Sequence, residues 1–501
     1  MNRSYAPLLL AVWATLFILS ACQRDEQFIT DGDVRLEFSV DTLRFDTVFT
    51  ELGSATQILK VYNSYDQSVR IERIRLSGDG NSKFRINVDG VAGNEQEAIR
   101  ILPQDSIYVF AEVTIDPDDD LSVSPFIINE ELVFETNGNE QRVVLEAFGQ
   151  NANYLPGRFS RDSIVIFTGD FVFDDPKPYV IYGVVGVQDG TWTIPAGADI
   201  YVHGGVVARE FAPGEGLSIY NSGLILILEN GRLVVEGTRE EPVRIRTDRL
   251  EPAFEELPNQ WAGIRIFSTG NQIEHAIIQN GQVGIFVDSA ADLTLKNSVI
   301  KHTGGPGLVG VHAEIEGENL LVFDNGARAL QLAHGGTYSF DYCTFASYGV
   351  DAPAASFNNY ACYDPPFCNE FDLNAIEARF SNSILFGSRR DELVLDDGTP
   401  PEVDPTDFEL RFENTVLRLD ELLDATKAGS YPDFFERFCE NCVNGNGQDP
   451  LFTAPSDFDY SLDTLSIAQG IATFRPELEV DLIGTPRDAD TPDAGALERI
   501  E

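Results

Sequence analysis

The sequence predicts an all-β chain in which an N-terminal β-sandwich is followed by a parallel β-helix. Apolar-alternating runs separated by turn residues fill residues 36–150, and no helical period accompanies them. In residues 158–501 a motif returns at intervals of about 22 residues, which is too short for a helical solenoid and fits one coil of a β-helix. The two patterns therefore predict two all-β domains.

The chain begins with a short apolar leader that ends in a cysteine. Arg3 is the only charged side chain before the apolar run from Leu8 to Leu19. This run is too short to span a bilayer comfortably. The run closes with Ser20-Ala21-Cys22 and resembles a bacterial lipoprotein signal. This resemblance implies removal of residues 1–21 and attachment of diacylglycerol and palmitate at Cys22. A signal-anchor helix with an incidental cysteine is the alternative.

The residues after Cys22 resemble a targeting signal. Gln23-Arg24-Asp25-Glu26-Gln27 resembles the acidic tag with which Bacteroidota send lipoproteins to the outside of the outer membrane. The resemblance implies a protein anchored in the outer membrane by its lipid and facing the cell exterior. Residues 22–35 are predicted to be the lipidated tether.

The charge of the chain excludes one class of partner. There are 35 basic and 81 acidic residues, a formal charge of −46, and loss of the leader with Arg3 makes it −46 − 1 = −47. Phosphate binding needs concentrated Lys and Arg, so nucleic acid is not an expected partner. An acidic coat that only keeps the chain soluble explains the charge equally well.

Five cysteines remain after lipidation, in a compartment where disulfides persist. The short spacings make Cys362 with Cys368, and Cys439 with Cys442, disulfide candidates. Cys343 lies in an apolar stretch and is interpreted as a buried thiol. A zinc site formed by the two pairs is the alternative, which the export route disfavours. We assign no metal ligands.

Seven strands are predicted in residues 36–150. They are Leu43 to Phe49, Gln57 to Tyr62, Val69 to Leu76, Phe84 to Val88, Ser106 to Ile115, Glu131 to Phe134 and Arg142 to Phe148. The order of Thr56-Gln57-Ile58-Leu59-Lys60-Val61-Tyr62-Asn63, Leu102-Pro103-Gln104-Asp105-Ser106 and Ile115-Asp116-Pro117 resembles immunoglobulin-like domains of the ASPM/SPD-2/Hydin type. In that family such domains are spacers or protein-contact modules.

One position of the repeat is a file of similar residues. Aligning the repeats on Leu295-Lys296-Asn297-Ser298-Val299-Ile300 makes equivalent His275, Asn297, Asn319, Tyr342, Asn382 and Asn414. Asn tolerates left-handed turns and can bond to an Asn stacked on the next coil, about 4.8 Å away. The file is therefore predicted to be a repeated turn between strands.

The segments before and after these repeats carry a further resemblance. Asn230-Gly231-Arg232-Leu233, Glu236-Gly237-Thr238 and Trp261-Ala262-Gly263-Ile264 resemble the opening coils of bacterial right-handed parallel β-helix proteins. The tail, with Asp481-Leu482-Ile483-Gly484-Thr485-Pro486-Arg487 and Asp493-Ala494-Gly495-Ala496-Leu497-Glu498, resembles the C-terminal segment of extracellular members of the pectate-lyase-like superfamily. Together these matches cover residues 158–501.

Three stretches exceed one coil and are predicted to be loop insertions: 346–379, 386–410 and 418–448. Loops of this size in a repeat are usually functional or capping. We expect them to cluster along one flank and wall off a groove. A cap that shields the end of the β-helix is an equal alternative.

Five residues are candidates for the groove. His312 and His334 fall at the same place in adjacent coils, where a pair of imidazoles can bind a metal or a sugar edge. Lys301 and His302 align with Asp324 and Ser347 on the following coils and offer a base and an acid. For the histidine pair an ordinary side-chain ladder is the preferred interpretation, and a solvated turn explains the second set as well as chemistry does.

No catalytic residue can be carried over from the pectate-lyase-like superfamily. Its enzymes typically hold calcium between carboxylates of neighbouring coils or pair two Asp. Here Asp396-Asp397 and Asp118-Asp119-Asp120 are adjacent in sequence, so their side chains point different ways. We therefore expect a non-enzymatic module that presents a β-helix wall to polysaccharide or to an envelope protein. The alternatives are a polysaccharide lyase or glycoside hydrolase acting on acidic polysaccharide, with Ca²⁺ as its cofactor, and a structural element of an export or gliding apparatus.

Overall fold

The computed structural model shows a chain that is 53% strand and 4% helix, which confirms the all-β prediction. It divides into two compact units, Met1–Asn151 and Ala152–Glu501. The structure describes residues 28–49, 56–78, 82–114, 126–150, 152–155, 164–209, 218–250, 252–364, 368, 370–399 and 407–499. The predicted leader with Cys22, the Asp118 to Asp120 run and part of the second insertion lie outside these residues.

The first unit is a β-sandwich of two five-stranded sheets. Their strand orders are β1-β3-β8-β5-β6 and β2-β10-β9-β4-β7. The bounds are β1 Glu37–Phe38, β2 Thr42–Phe49, β3 Gln57–Tyr62, β4 Val69–Leu76, β5 Phe84–Val88, β6 Val91–Ala92, β7 Glu95–Ile101, β8 Ser106–Val113, β9 Phe126–Thr136 and β10 Asn139–Gln150. Alternate residues such as Leu59, Val61, Val109 and Phe134 point inward and are fully buried between the sheets.

The second unit is a parallel β-helix with three faces. Face A is an eleven-stranded sheet in the described part of the chain. Its strands are Asn153–Leu155, Tyr179–Tyr182, Asp199–His203, Val243–Thr247, Ala276–Gln279, Val299–Thr303, Leu321–Asn325, Thr344–Ser347, Ile384–Gly387, Val416–Leu417 and Val443–Asn444.

Faces B and C form one fifteen-stranded sheet bent along its middle. Face B contains Ile164–Thr168, Ile264–Ile266, Ile285–Val287, Ala355–Asn358 and Leu393–Asp396. Face C contains Phe171–Val172, Asn271–Glu274, Asp292–Lys296, Ile376–Ser381, Phe408–Glu413 and Cys439–Glu440. Four longer strands run through both faces: Val184–Pro195, Leu224–Glu236, Leu308–Glu318 and Leu330–Asp341.

Short elements complete the described residues. Three antiparallel hairpins pair Val206–Arg209 with Ser218–Asn221, Tyr360–Cys362 with Phe371–Leu373, and Phe452–Ala454 with Asp459–Leu462. One α-helix spans Phe434–Phe438, and 3-10 turns span Pro252–Phe254, Glu421–Leu423, Pro455–Asp457 and Pro476–Leu478.

The core consists of like side chains stacked from coil to coil. On face C, Phe380 lies between Phe340 and Phe412, with ring centroids 5.1 and 5.2 Å away, and all three are buried. On face B, Ile264, Ile285, Leu308 and Leu330 stand in register and are fully buried. The stack removes apolar area from water at every coil, which is the main stabilising contribution available to an all-β repeat.

The corner between faces C and A repeats one backbone conformation. His275, Asn297, Asn319, Tyr342, Asn382 and Asn414 all have φ between +48° and +53°. The backbone N–H of each donates to the next coil, as from Asn297 to Glu318 O at 2.9 Å. The amide of Asn319 donates to Asn297 Oδ1 at 3.0 Å, and that of Asn414 to Asn382 Oδ1 at 3.3 Å. The predicted single file is confirmed.

The chain after residue 451 folds back over the outer side of face A. Its Leu451, Phe452 and Tyr460 pack with the outward-facing Phe323 and Phe386 of the coils in one apolar cluster. This covering layer closes that part of face A to solvent.

The buried side chain of Arg487 joins the covering layer to the coils. The Arg487 guanidinium lies 3.3 Å from Glu498, with side-chain exposures of 0% and 7%. It donates to Asn319 Oδ1 at 2.9 Å and stacks 3.7 Å from the centre of the Tyr342 ring. Through Arg487 the C-terminal segment therefore packs against the corner between faces C and A.

The third predicted insertion caps the core. The chain leaves face A at Leu417 and returns to face C at Cys439 without a face B strand. Phe434 and Phe438 of the intervening helix are buried against the core, and Phe434 lies 5.6 Å from Phe412. Capping is the alternative stated above, and it holds for this insertion.

Asn382 offers a test of the corner file. Its amide donates to Asp341 Oδ1 and Thr473 O, and its Oδ1 accepts from Thr473 N at 2.8 Å. Asn382→Ala loses these hydrogen bonds. It also leaves alanine in the left-handed region, where its Cβ is strained and no side-chain hydrogen bond offsets the strain. We therefore expect the unfolding free energy to fall by about 3 kcal/mol. Asn382→Gly should lose about 1 kcal/mol less, because glycine accepts this φ.

Urea unfolding followed by circular dichroism measures both changes. Asn297→Ala is the matched control, because Asn297 is only half-buried and its side-chain hydrogen bonds within the described residues go to Glu274 and Asn319 of the coils. Equal losses for Asn297→Ala and Asn382→Ala would contradict the proposed role of the layer in the file.

Candidate functional site

The first two predicted insertions meet at the corner between faces B and C. The excursions are narrower than predicted, because Ala355–Asn358 and Leu393–Asp396 are regular face B strands inside them. What projects is the hairpin that pairs Tyr360–Cys362 with Phe371–Leu373 and, one coil on, residues 397–399. The hairpin roofs a cleft of about 350 Å³ on the outer side of face B.

Three consecutive coils line the cleft. Arg328, Gln331 and His334 come from one coil, Ser356, Asn358 and Tyr360 from the next, and Val394 and Asp396 from the third. Parallel register sets corresponding residues about 4.8 Å apart, so the polar groups form a short regular array.

Asp396 is the acceptor at the centre of this array. Its Oδ2 accepts from the Tyr360 hydroxyl at 2.9 Å and from Asn358 Nδ2 at 3.2 Å. The Oδ1 of Asn358 accepts from the backbone N–H of His334 and of Tyr360, both at 3.2 Å. Burial and the neighbouring Asp396 raise the pKa of Tyr360. The phenol therefore stays protonated and fixes the carboxylate.

Asn359 joins the two insertions. It is fully buried, and its amide group donates to Asp397 Oδ1, Thr399 Oγ1 and Asp407 O, while its Oδ1 accepts from Gly398 N at 2.8 Å. Asp397 Oδ1 also accepts from Thr399 N. The two neighbouring side chains thus point in different directions. Asp396 faces the cleft, whereas Asp397 stabilises the loop that follows it.

Glu392 positions the two strands of the cleft floor. Its carboxyl accepts from the backbone N–H of Ala354 at 2.9 Å and of Arg389 at 2.6 Å, at the points where the strands Ala355–Asn358 and Leu393–Asp396 begin. The side chain is fully buried, and burial raises its pKa to about 8 although both N–H groups oppose the rise.

Arg328 has no carboxylate partner in the described residues, although acidic residues exceed basic ones by more than two to one in this chain. Its Nε is buried and makes no hydrogen bond among those residues. Beside it, burial and then the neighbouring His312 lower the pKa of His334. The cleft therefore carries the permanently charged guanidinium of Arg328 and, in His334, an imidazole that is neutral near pH 7.

The structure separates the five candidate residues. His312 and His334 occupy equivalent left-handed positions at the B–C corner, with φ of +48° and +60°, and only His334 lines the cleft. Lys301, His302 and Asp324 lie at the end of face A.

His302 is enclosed rather than placed in a groove. Its Nδ1 lies 2.5 Å from Asp324 Oδ2, its ring is 2% exposed, and Phe458 of the covering layer stands edge-on at 5.0 Å. The Ser347 hydroxyl donates to Ala352 O and does not extend this pair. Burial lowers the pKa of Lys301, which is half-buried beside them.

The cysteines follow two patterns. Cys362 and Cys368 form a disulfide across the hairpin that roofs the cleft. Cys439 and Cys442 are unbridged thiols at the C–A corner of the last coil, and a hydrogen bond between them raises the pKa of Cys439. The zinc alternative needs the two pairs together, and the structure places them on different corners. Cys343 is fully buried, and burial raises its pKa.

Most of the cleft was not predicted from the sequence. Asn358 and Tyr360 fall inside the first insertion, so the loop length located them without assigning a role. Arg328 and Gln331 follow no pattern that distinguishes them from other coil residues. Only the registration of the coils brings Asp396 back to Asn358 across 38 residues.

Comparisons with known proteins add little. No protein-family model and no curated protein matches the sequence. Similar solved structures include a family 123 glycoside hydrolase from Clostridium perfringens, at 8% identity and TM-score 0.17 over 23% of this chain and 26% of that one. Others are XylC with xylose, at 9% and 0.31 over 93% and 87%, and pectate lyase Pel9A, at 10% and 0.26 over 70% and 88%. Values this low carry no argument about activity.

The described residues lack two further features. They contain no group of three or more His, Cys, Asp or Glu side chains placed to hold a metal ion. They also contain no helix long and apolar enough to cross a membrane.

The raised pKa of Glu392 predicts a pH dependence. Because its folded pKa of about 8 exceeds the ordinary 4.5, its contribution to stability is complete below about pH 4.5 and is lost as the pH rises through 8. Glu392→Gln cannot ionise, so its unfolding free energy should fall by about 2 to 4 kcal/mol less than that of the wild type between about pH 5 and 9.

Urea unfolding at several pH values measures this slope. Glu409→Gln is the control, since Glu409 is an exposed face C residue whose replacement should leave the slope unchanged. An unchanged slope in Glu392→Gln would show that the carboxyl ionises normally in the folded protein.

Proposed function

We propose that this chain is a lipid-anchored, non-catalytic protein of the outer cell surface that binds polysaccharide in the cleft on face B. The observation that carries the proposal is the array of hydroxyl, amide and carboxylate groups that three coils present beside the Tyr360 ring. Sugars are recognised by such planar polar groups together with an aromatic ring. The coil spacing of about 4.8 Å is close to the length of one sugar unit, so a chain can lie across successive coils.

The composition of the cleft favours binding over hydrolysis. Glycoside hydrolysis uses two carboxyl groups flanking the bond, about 5 to 10 Å apart. Asp396 is the one acidic residue among the described residues that line the cleft, and two donors already occupy its Oδ2. The neighbouring Asp397 is engaged by Asn359 and Thr399.

A lyase is the second candidate, and one observation favours it. The neutral imidazole of His334 lines the same cleft as the Arg328 guanidinium, which has no carboxylate partner among the described residues. In a lyase the cation would neutralise the carboxylate of a uronic acid, and the imidazole would remove the proton from the carbon beside it. The electron pair left behind would form a double bond to the next carbon as the glycosidic C–O bond there breaks, and the leaving oxygen would take a proton from water. Such an enzyme releases unsaturated ends that absorb in the near ultraviolet.

The anchor is proposed from the leader alone. Cys22 would carry the lipid, residues 22–35 would be the tether, and the acidic residues after Cys22 would direct the protein to the cell exterior. The sandwich, whose likeness to immunoglobulin-like domains is part of this proposal, would stand between the membrane and the β-helix.

Affinity electrophoresis in gels that contain laminarin, xylan, polygalacturonate or alginate tests the cleft. At least one polymer should retard the full chain, and Tyr360→Ala should weaken that retardation about fivefold or more, as expected for loss of a central aromatic contact. Tyr363→Ala is the matched control, since Tyr363 is 62% exposed on the same hairpin and does not line the cleft.

The other outcomes also decide the matter. No retardation by any polymer, or equal retardation of Tyr360→Ala and wild type, contradicts the proposal. Near-ultraviolet absorbance that grows when the chain is mixed with polygalacturonate or alginate, and that disappears in His334→Ala, would establish the lyase instead.

Cys22→Ser tests the anchor. The wild-type chain expressed in a bacterium that processes lipoproteins should incorporate labelled palmitate and sediment with membranes. Cys22→Ser should lose the label and appear in the soluble fraction, because the serine hydroxyl does not accept the lipid. The control is Cys343→Ser, which leaves the leader intact. Membrane sedimentation of unlabelled Cys22→Ser would indicate a signal-anchor helix.

A further inference from the structure

The sandwich carries an aromatic surface of its own. Strands β3 and β8 turn alternate residues outward, and four of these are Ile58, Tyr62, Tyr108 and Phe110. Ile58 is 52% exposed and Tyr108 44%. We call these four residues, with Asn87 of the adjacent strand β5, the sandwich platform.

Register places the members of the platform side by side. Phe110 stands opposite Ile58 on one side and opposite Asn87 on the other. The ring centroids of Tyr108 and Phe110 are 6.3 Å apart and their planes are inclined by 26°, so the two rings are neighbours with nearly parallel planes. The Lys60 ammonium lies 5.1 Å from the centre of the Tyr62 ring and 5.5 Å from that of Tyr108.

An unsatisfied acceptor lies beside the rings. The Oδ1 of Asn87 is buried and accepts no hydrogen bond from the described residues. It belongs to an open cleft that Phe110, Asn94 and Glu112 also line. A buried carbonyl oxygen without a donor costs about 1 to 3 kcal/mol, so a ligand that supplies a donor at this point gains that amount.

We infer that the sandwich platform is a second polysaccharide-binding site, independent of the cleft on face B. A pyranose ring packs its C–H face against Tyr108 and Phe110, and the Asn87 side chain turns toward the open cleft so that one of the sugar hydroxyl groups donates to its Oδ1. A purely apolar partner would cover the rings and leave the acceptor unsatisfied. The Arg85 and Glu112 side chains stand opposite each other at the edge of the platform, and the Lys60 ammonium lies over the Tyr62 and Tyr108 rings. Each of these charges thus has a partner on the platform, which therefore suits a neutral sugar.

Two sites on one chain change how it holds a polymer. A polysaccharide long enough to reach both meets the second site at high effective concentration, and retention then exceeds what either site gives alone. The sandwich is on this account a binding domain and more than a spacer.

Affinity electrophoresis of the full chain in gels containing laminarin or xylan tests the platform. Tyr108→Ala should weaken retardation about fivefold, as should Asn87→Leu, which keeps the volume of the side chain and removes the acceptor. Val40→Ala is the control, because Val40 is 41% exposed in the same unit and lies outside the platform.

Thermal unfolding separates binding from folding. Asn87→Leu should leave the melting temperature of the sandwich unchanged or higher, since it removes an unsatisfied buried group. Weaker retardation with an undiminished melting temperature therefore supports the site. Unchanged retardation in both Tyr108→Ala and Asn87→Leu overturns it, and so does a concentration-dependent dimer that Tyr108→Ala abolishes.

The two sites fail independently. Loss of retardation in Tyr108→Ala but not in Tyr360→Ala leaves the platform standing and removes the cleft. The reverse result leaves the cleft and removes the platform. A chain that neither neutral polymer retards overturns the platform, while polygalacturonate and alginate still test the cleft.

Discussion

A left-handed backbone corner between faces C and A is the constraint on which the β-helix depends. Six residues from His275 to Asn414 take this conformation in successive coils, and each donates its backbone N–H to the coil above. One residue per coil therefore sets both the turn and the hydrogen bond that stacks the next turn upon it. Asn meets both needs, because its short amide tolerates positive φ and bonds to its copy. The aromatic stack behind the corner, Phe340 to Phe412, can form only when this registration is kept.

The parts of the fold that depend on local interactions were predictable from the sequence, and the parts that depend on distant contacts were not. The corner file and all seven predicted sandwich strands were visible as periodic patterns, and the structure gives Gln57–Tyr62, Val69–Leu76 and Phe84–Val88 the predicted bounds. Strand Glu95–Ile101 was missed because it lies at a sheet edge, where most of its residues face solvent and the alternation is weak. The covering layer was also missed, since a contact such as Arg487 with Asn319 spans 168 residues.

The candidate site was harder to predict than the fold. The insertions were located by their length, yet their internal order depends on Asn359, which reaches Asp397, Thr399 and Asp407 in the next coil. A buried amide with this many partners leaves no trace in local periodicity. Glu392 is similar, because a single carboxyl that begins two strands looks like any surface glutamate in the sequence. Functional residues of such a repeat are concentrated in the loops that interrupt it. These loops have no periodic pattern from which their structure could be predicted.

The covering layer decides which faces can meet a ligand. Phe323, Phe386 and Tyr460 pack together on the outside of face A, so a partner cannot reach those coils without displacing the tail. Displacement would break the hydrogen bond of the Arg487 guanidinium to Asn319 Oδ1 and its contact with the Tyr342 ring. His302 and Asp324 lie under this layer, which assigns them to packing. In the part of the chain that the structure describes, no such layer covers faces B and C, and the hairpin, Asp396 and Arg328 converge at the corner between them. A ligand can therefore reach this corner without displacing the tail.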